Sequence, residues 1–288
     1  MSSHAVKQVK QTVSALPVSE GAGVTVHRTI GTPALRQLDP FLMLDHFSSD
    51  DPDDYIAGFP DHPHRGFITF TYMLDGHMLH QDSMGNRGDL RAGGAQWMKA
   101  ASGVIHSEMP QQSAGMMRGF QLWINLPAAQ KMTAPAYQEF SPEMIPTVET
   151  NELAVKVLIG EYANTRGPVI DPHTNVHYFD IKLQPHATFT CPLDRSLQGF
   201  VYLFEGEGSI EDTTLTQHTI AVLGDGETAE FAAGGAGARL ILVAGRPLNE
   251  PVVQYGPFVM NSREEIEQAF ADYRDGDLVR DKATVVSE

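Results

Sequence analysis

Four side chains between positions 62 and 108 have the chemistry of metal ligands. One residue separates His62 from His64, and one residue separates His106 from Glu108. On a β-strand, residues i and i+2 point to the same side, roughly 6–7 Å apart, so each pair can present two donor atoms to one ion. Three imidazole nitrogens and one carboxylate oxygen suit Fe(II), Mn(II), Ni(II), Cu(II) or Zn(II). The spacing therefore predicts one mononuclear metal site.

The expected site is open rather than structural. Four protein ligands in an octahedral shell leave positions for water, oxygen or a substrate. A structural zinc more typically uses thiolates and closes its shell. The single cysteine, Cys191, precedes Pro192 in an apolar stretch, and we predict a buried, inert thiol there.

Other charged and imidazole side chains near the site have weaker signals. His77 and His80 would point to opposite faces of one strand, so we predict that both are solvated surface histidines. Asp61 and Arg65 flank the first histidine pair. They either orient the ligands or are exposed charges at the rim of the site.

The charge of the chain excludes some functions. The formal net charge is −16, from 20 basic and 36 acidic residues. Such a surface repels phosphate backbones, so direct nucleic-acid binding is not expected. We find no run of about 18 apolar residues, so no membrane-spanning segment is predicted. No apolar core of signal-peptide type follows the first ten residues, and a cytoplasmic location is therefore expected.

The segments that would position these residues are typical of an all-β protein. They are short, rich in Val, Ile, Thr, Phe and Tyr, and separated by Gly, Pro and Asp. Residues 67–74 alternate, with Ile68, Phe70, Tyr72 and Leu74 on one face, which predicts a half-buried strand. Further strands are predicted near 24–30, 96–100, 119–125, 154–160, 176–183, 199–205, 219–223 and 239–244.

The order of these strands predicts two sequential β-barrels. Residues 1–134 would form a metal-binding barrel, 135–150 a proline-rich linker, and 151–288 a second barrel that ends in a helix. Ser262 and Glu265 form a capping box for that helix. Ile266, Ala269, Phe270 and Tyr273 form its apolar stripe, and Gly276 can end it.

Five segments resemble the signatures of the pirins, a branch of the cupin superfamily. The segment 58–67 resembles the first pirin motif, 103–110 the second, and 121–127 the segment that follows it. The C-terminal segments 244–251 and 256–261 are also similar to pirins. The resemblance spans residues 41–273.

The resemblance implies a bicupin, with two double-stranded β-helix (jelly-roll) barrels and metal in the N-terminal barrel alone. The family's ligands fall on His62, His64, His106 and Glu108, the residues that the spacing identifies. The C-terminal barrel has no histidine around 197–202, where its first motif would lie, so it is expected to lack metal. Ile68 stands where pirins usually have Glu, and we expect a less acidic pocket as a result.

The resemblance also implies an activity, because several pirins resemble flavonol dioxygenases that open the ring of quercetin with oxygen. The expected substrates are a small flavonol-like aromatic and O2, with Fe(II) as the expected ion and Mn, Ni, Cu, Co or Zn as the other candidates. Glu108 would act as the catalytic base. Phe47 and Phe59 either wall an aromatic pocket or belong to the core.

Two alternatives remain open at this point. Other pirins are non-catalytic, metal- or redox-dependent regulators that bind a transcription factor or a metabolic enzyme. The third hypothesis is a metal-stabilised β-protein whose action on flavonols is incidental. The ligand set is the same in all three.

Overall fold

β-Strands make up most of the computed structural model, which describes residues 5–281. The strands of the first half are β1 (Val9–Ser14), β2 (Leu16–Glu20), β3 (Val24–Arg28), β4 (Phe41–Ser49), β5 (Phe59–His64), β6 (Phe67–Asp75), β7 (His77–Asp82), β8 (Arg87–Arg91), β9 (Ala95–Lys99), β10 (Val104–Pro110), β11 (Met117–Asn125) and β12 (Ala136–Phe140). Those of the second half are β13 (Thr147–Glu149), β14 (Leu153–Ile159), β15 (Glu161–Tyr162), β16 (Thr165–Arg166), β17 (His177–Leu183), β18 (Thr188–Pro192), β19 (Gln198–Ile210), β20 (Thr213–Leu215), β21 (Thr219–Leu223), β22 (Thr228–Gly245), β23 (Val253–Tyr255) and β24 (Phe258–Met260).

Helices are few in the described part of the chain. The α-helices are α1 (Ala128–Lys131) and α2 (Arg263–Asp275), and two 3-10 turns occupy Pro52–Asp54 and Pro142–Met144. Between residues 5 and 281 no helix has the length and apolar character needed to cross a membrane. The all-β expectation with a C-terminal helix is confirmed, and each predicted strand overlaps an observed one.

The chain divides into two compact units. The first, which we call the histidine unit, comprises Pro17–Ile30, Phe41–Pro142 and the chain from Leu248 onward. It contains a seven-stranded antiparallel sheet in the order β12-β9-β6-β11-β4-β3-β2 and a four-stranded sheet in the order β5-β10-β7-β8. β23 and β24 form a separate pair.

The second unit comprises the chain up to Leu16, Gly31–Pro40 and Glu143–Pro247. Its main sheet has the order β1-β21-β19-β22-β17-β14-β13, with β18 paired to β22 and β20 to β19. An apolar cluster that includes Phe179, Leu203 and Leu242 fills its core. Cys191 belongs to this cluster, and burial raises the pKa of its thiol to about 12, so the prediction of a buried thiol is confirmed.

The boundaries of these units differ from the expected ones. The expected linker 135–150 contains β12, which pairs with β9, and β13, which pairs with β14. Its prolines stand before or after these strands, where a missing N–H costs little, and so do not prevent them. Helix α2 belongs to the histidine unit, whereas the sequence predicted it as the end of the second barrel.

The C-terminal helix forms as its sequence predicts at both ends. Ser262 and Glu265 make the reciprocal capping-box hydrogen bonds, and Gly276 ends the helix in the left-handed conformation at φ 83°. Ile266 and Ala269 are buried as expected, but Tyr273 is 42% exposed. The neighbouring Asp272 is buried in its place, at 7% exposure, because it pairs with Arg65.

Burial on β6 also differs from the expectation of a half-buried strand. β6 lies between β9 and β11, so it pairs with a neighbouring strand along each of its two edges. Ile68, Phe70 and Tyr72 are fully buried on one face, and Thr69 and Thr71 are buried on the other. The threonine face is covered because it turns toward the interior of the histidine unit, where the candidate site lies.

Candidate metal centre

The pairing of two antiparallel strands brings the two predicted ligand pairs together. β5 forms the edge of its sheet, which accommodates Pro63 because an edge strand needs fewer N–H donors. In its register with β10, His62 lies directly opposite His106. Directly opposed residues of an antiparallel pair project to the same face, and the i+2 alternation adds His64 and Glu108 to that face.

Three imidazoles converge on one point. The centroid of the His62 ring is 4.3 Å from that of His106 and 4.7 Å from that of His64, and the rings of His64 and His106 are 4.9 Å apart. One ring nitrogen from each of the three lies within 4.8 Å of the others. The spacing is that of side chains able to share a single ion.

The nitrogens at this point fit a metal. Nε2 of His64 and Nε2 of His106 are buried and have no hydrogen-bond partner among residues 5–281. Nδ1–H of His62 donates to the carbonyl of Pro60 at 2.8 Å, which leaves Nε2 of that ring with a lone pair. Buried polar atoms without a partner are costly, and a bound cation would satisfy them. The donor set therefore fits a divalent transition metal.

The protonation of the buried imidazoles supports this fit. Burial lowers the pKa of His64 well below its usual value, and the charge of neighbouring His62 lowers it further. Burial lowers the pKa of His106 in the same way, followed by the charges of His64 and His62. Neutral imidazoles are the form that binds metals, so these rings need not lose a proton first at neutral pH.

The carboxylate of Glu108 is buried in the same cavity and is held by two side chains that sequence reasoning missed. Its Oε1 accepts a hydrogen bond from Oγ1 of Thr71 at 3.1 Å, and its Oε2 accepts one from Nε2 of Gln121 at 2.8 Å. Gln121 is oriented in turn because its own oxygen accepts from the indole N–H of Trp123. The alternation of β6 indicates that Thr71 lies opposite its apolar face, but no local pattern indicates that this side chain meets Glu108.

The prediction for His80 is wrong. His77 is partly exposed and pairs with Asp89, but His80 is buried at 1% exposure and stacks on Tyr137 with ring centroids 4.9 Å apart. Its Nδ1 lies 3.4 Å from Nδ1 of His106. The spacing of His80 and Asp82, again i and i+2, was the signal that could have identified it.

A cavity of about 640 Å³ lies beside these residues within the histidine unit. Phe47 and Phe59 line it, so both are wall residues, and both also pack in a core cluster of this unit. Ile68 is fully buried and is not among the lining residues. The expectation of a less acidic pocket therefore concerns a position outside the cavity wall and stays a prediction. The other apolar side chains that line it are Val26, Met43, Pro60, Met78, Trp123 and Pro257.

Charged side chains occupy part of the same wall. Arg28 donates two hydrogen bonds to the carboxylate of Asp45, at 2.7 and 2.6 Å, and also contacts Glu20 at 2.7 Å. Asp61 is exposed and lines the cavity, as the rim position predicts. Arg65 is buried at 1% exposure and is not a rim charge, because it pairs with Asp272 and is not among the residues that line the cavity.

Family models match both halves of the chain. The model described as Pirin matches residues 23–124, and the model described as Pirin C-terminal cupin domain matches residues 178–279. The two matched regions account for the two cupin domains expected from the resemblance.

Named relatives and a solved structure are similar over nearly the whole length. A Pseudomonas aeruginosa protein named "Putative quercetin 2,3-dioxygenase" is 49% identical over 91% of this chain and 94% of its own. Human pirin is 41% identical over 93% of this chain and 92% of its own. The crystal structure of a quercetin 2,3-dioxygenase from Acinetobacter baumannii aligns with a TM-score of 0.88 and 31% identity, covering 95% of this chain and 99% of that one. The chain thus belongs to the pirin family of bicupins.

Proposed function

We propose that this chain is a metal-dependent dioxygenase that opens the ring of flavonols such as quercetin with O2. In this proposal His62, His64, His106 and Glu108 hold one divalent transition metal, with Fe(II) as the expected ion. The observation that carries the proposal is the convergence of three imidazole nitrogens, one each from His62, His64 and His106, beside a cavity with aromatic and aliphatic walls. Such a combination of a polar centre and an apolar enclosure is typical of sites for small aromatic ligands.

The comparisons support the same activity. The Pseudomonas aeruginosa relative is named "Putative quercetin 2,3-dioxygenase", and the Acinetobacter baumannii structure is described as a quercetin 2,3-dioxygenase. The volume of about 640 Å³ lies within the range of sites for drug-sized molecules. A three-ring flavonol is a molecule of that size.

Glu108 has the properties of the base. A bound metal would supply Lewis acidity that stabilises an oxyanion of the substrate and would place O2 beside it. The carboxylate of Glu108 is 2% exposed, and the hydrogen bonds from Thr71 and Gln121 fix its orientation. It can accept the proton of the flavonol 3-hydroxyl within the cavity, while Phe47 and Trp123 line the space for the aromatic rings and exclude water.

The test combines elemental analysis of the purified protein with oxygen consumption and carbon monoxide release on quercetin. Glu108→Gln should retain much of the metal and lose at least about 100-fold in turnover, the scale of a general base. Glu267→Gln on the exposed face of α2 is the matched control and should behave as wild type. Unchanged oxygen uptake by the Glu108 variant would contradict the assignment of the base.

A regulatory function is the alternative proposal, in which a metal- or redox-dependent surface binds a transcription factor or a metabolic enzyme. The formal charge of −16 favours a partner with a basic face. Capture experiments with reduced and oxidised protein separate the two proposals. A partner bound in one redox state only, together with no flavonol turnover by the metal-loaded protein, would favour the regulator.

A further inference from the structure

We propose that His80 and Asp82 are positioning residues that fix the tautomer of His106 and strengthen its Nε2 as a metal donor. This inference rests on the proposed role of His106 as a ligand. His80 and Asp82 both belong to β7, the neighbour of β10 in the four-stranded sheet. In the register of these strands Asp82 lies opposite His106 and His80 lies opposite Glu108, so all four project to one face.

The contacts form a continuous chain. Nδ1 of His106 lies 3.4 Å from Nδ1 of His80, and Nε2 of His80 lies 3.3 Å from Oδ2 of Asp82. The side chains of His80 and Asp82 are each 1% exposed, so water does not compete for these contacts. The His80 ring is held between the His106 ring, at 5.2 Å, and the stacked ring of Tyr137.

Only one arrangement of protons satisfies this chain while leaving Nε2 of His106 free. A carboxylate accepts only, so Nε2–H of His80 donates to Asp82. Nδ1 of His80 is then an acceptor, and Nδ1–H of His106 donates to it. Nε2 of His106 consequently carries the lone pair, and this is the nitrogen that has no hydrogen-bond partner among residues 5–281. Each donor N–H in this series of hydrogen bonds therefore points away from the candidate metal position and toward the carboxylate of Asp82.

Asp82, at the end of this series of hydrogen bonds, is held in place as a carboxylate anion. Its Oδ1 accepts from the backbone N–H groups of Met84 and Asn86, and its Oδ2 accepts from Nδ2 of Asn86. Burial alone would raise the pKa of Asp82, but hydrogen bonds from His80 and Asn86 hold it below the usual value. A carboxylate placed behind an imidazole ligand increases the basicity of that ligand, and here a second imidazole relays the effect.

The consequence is a metal site whose affinity and electronic character depend on β7. Partners that receive the second N–H of a ligating histidine change metal affinity by roughly 10–100-fold when they are removed. A purely structural role for His80 would alter protein stability and leave the environment of a bound ion unchanged. The two roles are therefore separable by measurement on the metal itself.

The experiment measures Ni(II) affinity by calorimetry and the visible spectrum of the Co(II)-loaded protein. His80→Phe should keep the stacking on Tyr137 but lose the acceptor, with affinity about 10–100-fold weaker and altered Co(II) bands. His80→Gln can both accept from His106 and donate to Asp82, and should recover part of the affinity. His77→Gln, a partly exposed histidine of the same strand, is the matched control and should leave both readouts unchanged.

Asp82→Asn provides the second route if His80→Phe does not fold, and should weaken affinity in the same direction. Wild-type affinity and an unchanged Co(II) spectrum in either folded variant would overturn the inference, and so would a wild-type protein that binds neither ion. Weaker metal binding in the variants without flavonol turnover by the wild type would support the inference and contradict the dioxygenase proposal. Flavonol turnover by the wild type, together with wild-type metal affinity and Co(II) spectra in the variants, would support the dioxygenase proposal and contradict the inference.

Discussion

Arg65 and Asp272 form a buried ion pair, with Nη1 of the arginine 2.7 Å from Oδ2 of the aspartate. Arg65 directly follows the candidate ligand His64, and Asp272 lies on α2, more than two hundred positions later in the chain. Nε of Arg65 also donates to the carbonyl of Ser102, just before β10. Through Arg65, the helix is thus connected to the chain beside both strands that carry the candidate ligands.

The backbone around Arg65 is fixed as well. Its carbonyl accepts from the N–H of Val259 on β24 at 3.0 Å. Gly66 follows at φ 91°, and a Cβ there would lie 1.9 Å from the carbonyl oxygen of Val259. No side chain fits that space, which explains the glycine after Arg65 in physical terms. The end of β5 is therefore held on two sides.

Asp272→Asn should destabilise the histidine unit. The substitution removes the charge that compensates buried Arg65, and hydrogen bonds to charged groups contribute about 1.5–3 kcal/mol each. We expect a loss of that order in the free energy of unfolding, measured by urea denaturation of the metal-free protein. Asp275→Asn, which affects an exposed pair with Arg274 on the same helix, is the control and should change little. Equal stability of the two variants would contradict the proposed role of the ion pair.

The same carboxylate predicts a pH dependence. Burial opposes ionisation of Asp272, yet hydrogen bonds from Gln268 and Arg65 hold its pKa below the usual 3.8. A group whose folded pKa is lowered stabilises the protein fully above its unfolded pKa and loses that contribution as the pH falls through the folded value. The stability difference between wild type and Asp272→Asn should therefore be constant from pH 7 to about 5 and shrink below about 4. A difference that grows on acidification would contradict this sign.

The candidate ligands could be paired from the sequence because their information is local. Positions i and i+2 on a strand share a face whatever the rest of the fold does, so His62 with His64 and His106 with Glu108 could be paired from the sequence. Their meeting point depends on the register between β5 and β10, which are about forty residues apart. Nothing local fixes that register, so the convergence was an expectation supported by family resemblance.

The residues that the sequence did not reveal all depend on long-range packing. Tyr137 lies in the expected linker 135–150, but β12 pairs with β9, and the Tyr137 ring stacks on His80. Tyr273 has the spacing of the apolar stripe of α2, but Asp272 takes the buried position because a cation meets it there. A hydrophobicity pattern cannot predict either outcome, since each is decided by one partner from a distant segment.

Thr71→Val should lower turnover without removing the metal. Valine keeps the shape of the side chain but deletes the hydrogen bond to Oε1 of Glu108, so the carboxylate loses part of its orientation. We expect kcat on quercetin to fall about tenfold, with metal content unchanged by elemental analysis. Thr69→Val is the matched control, because Thr69 is buried on the same face of β6 but does not line the cavity. Equal kcat values for both variants would show that this hydrogen bond does not position the base.

Cys191 should be inert in the folded protein. Burial raises its pKa to about 12, so about one thiol in ten thousand is ionised at pH 8, and the thiolate is the reactive form. We expect labelling of Cys191 by a chromogenic disulfide reagent at pH 8 to be slow in buffer. In urea, labelling should be as fast as the protein unfolds. Because the chain has a single cysteine, the signal reports on the second unit alone. Rapid stoichiometric labelling of the native protein would contradict this prediction.

The charges of the cavity wall should select neutral ligands over anionic ones. Glu20, Asp45, Asp61 and Glu108 line the cavity, whereas Arg28 is the one Lys or Arg side chain among its lining residues in the described chain, and it already contacts two of these carboxylates. An added sulfate or carboxylate on the ligand would meet like charges in a poorly hydrated space, which is costly. We expect quercetin to bind the metal-free protein at least about tenfold more tightly than a sulfated flavonol of similar size, equivalent to about 1.4 kcal/mol. The metal-free protein is used because a bound divalent cation would offset part of the negative charge of the wall.

Quenching of tryptophan fluorescence measures both dissociation constants without requiring turnover. Asp61→Asn removes one carboxylate from the cavity wall and should narrow the difference between the two ligands, because the added anion then meets one negative charge fewer. Asp53→Asn removes an exposed carboxylate that lies outside the cavity lining and should leave the difference intact. If the sulfated flavonol binds the wild type as tightly as quercetin does, the carboxylates do not set the selectivity, and the ligand must enter with its substituents directed away from this wall.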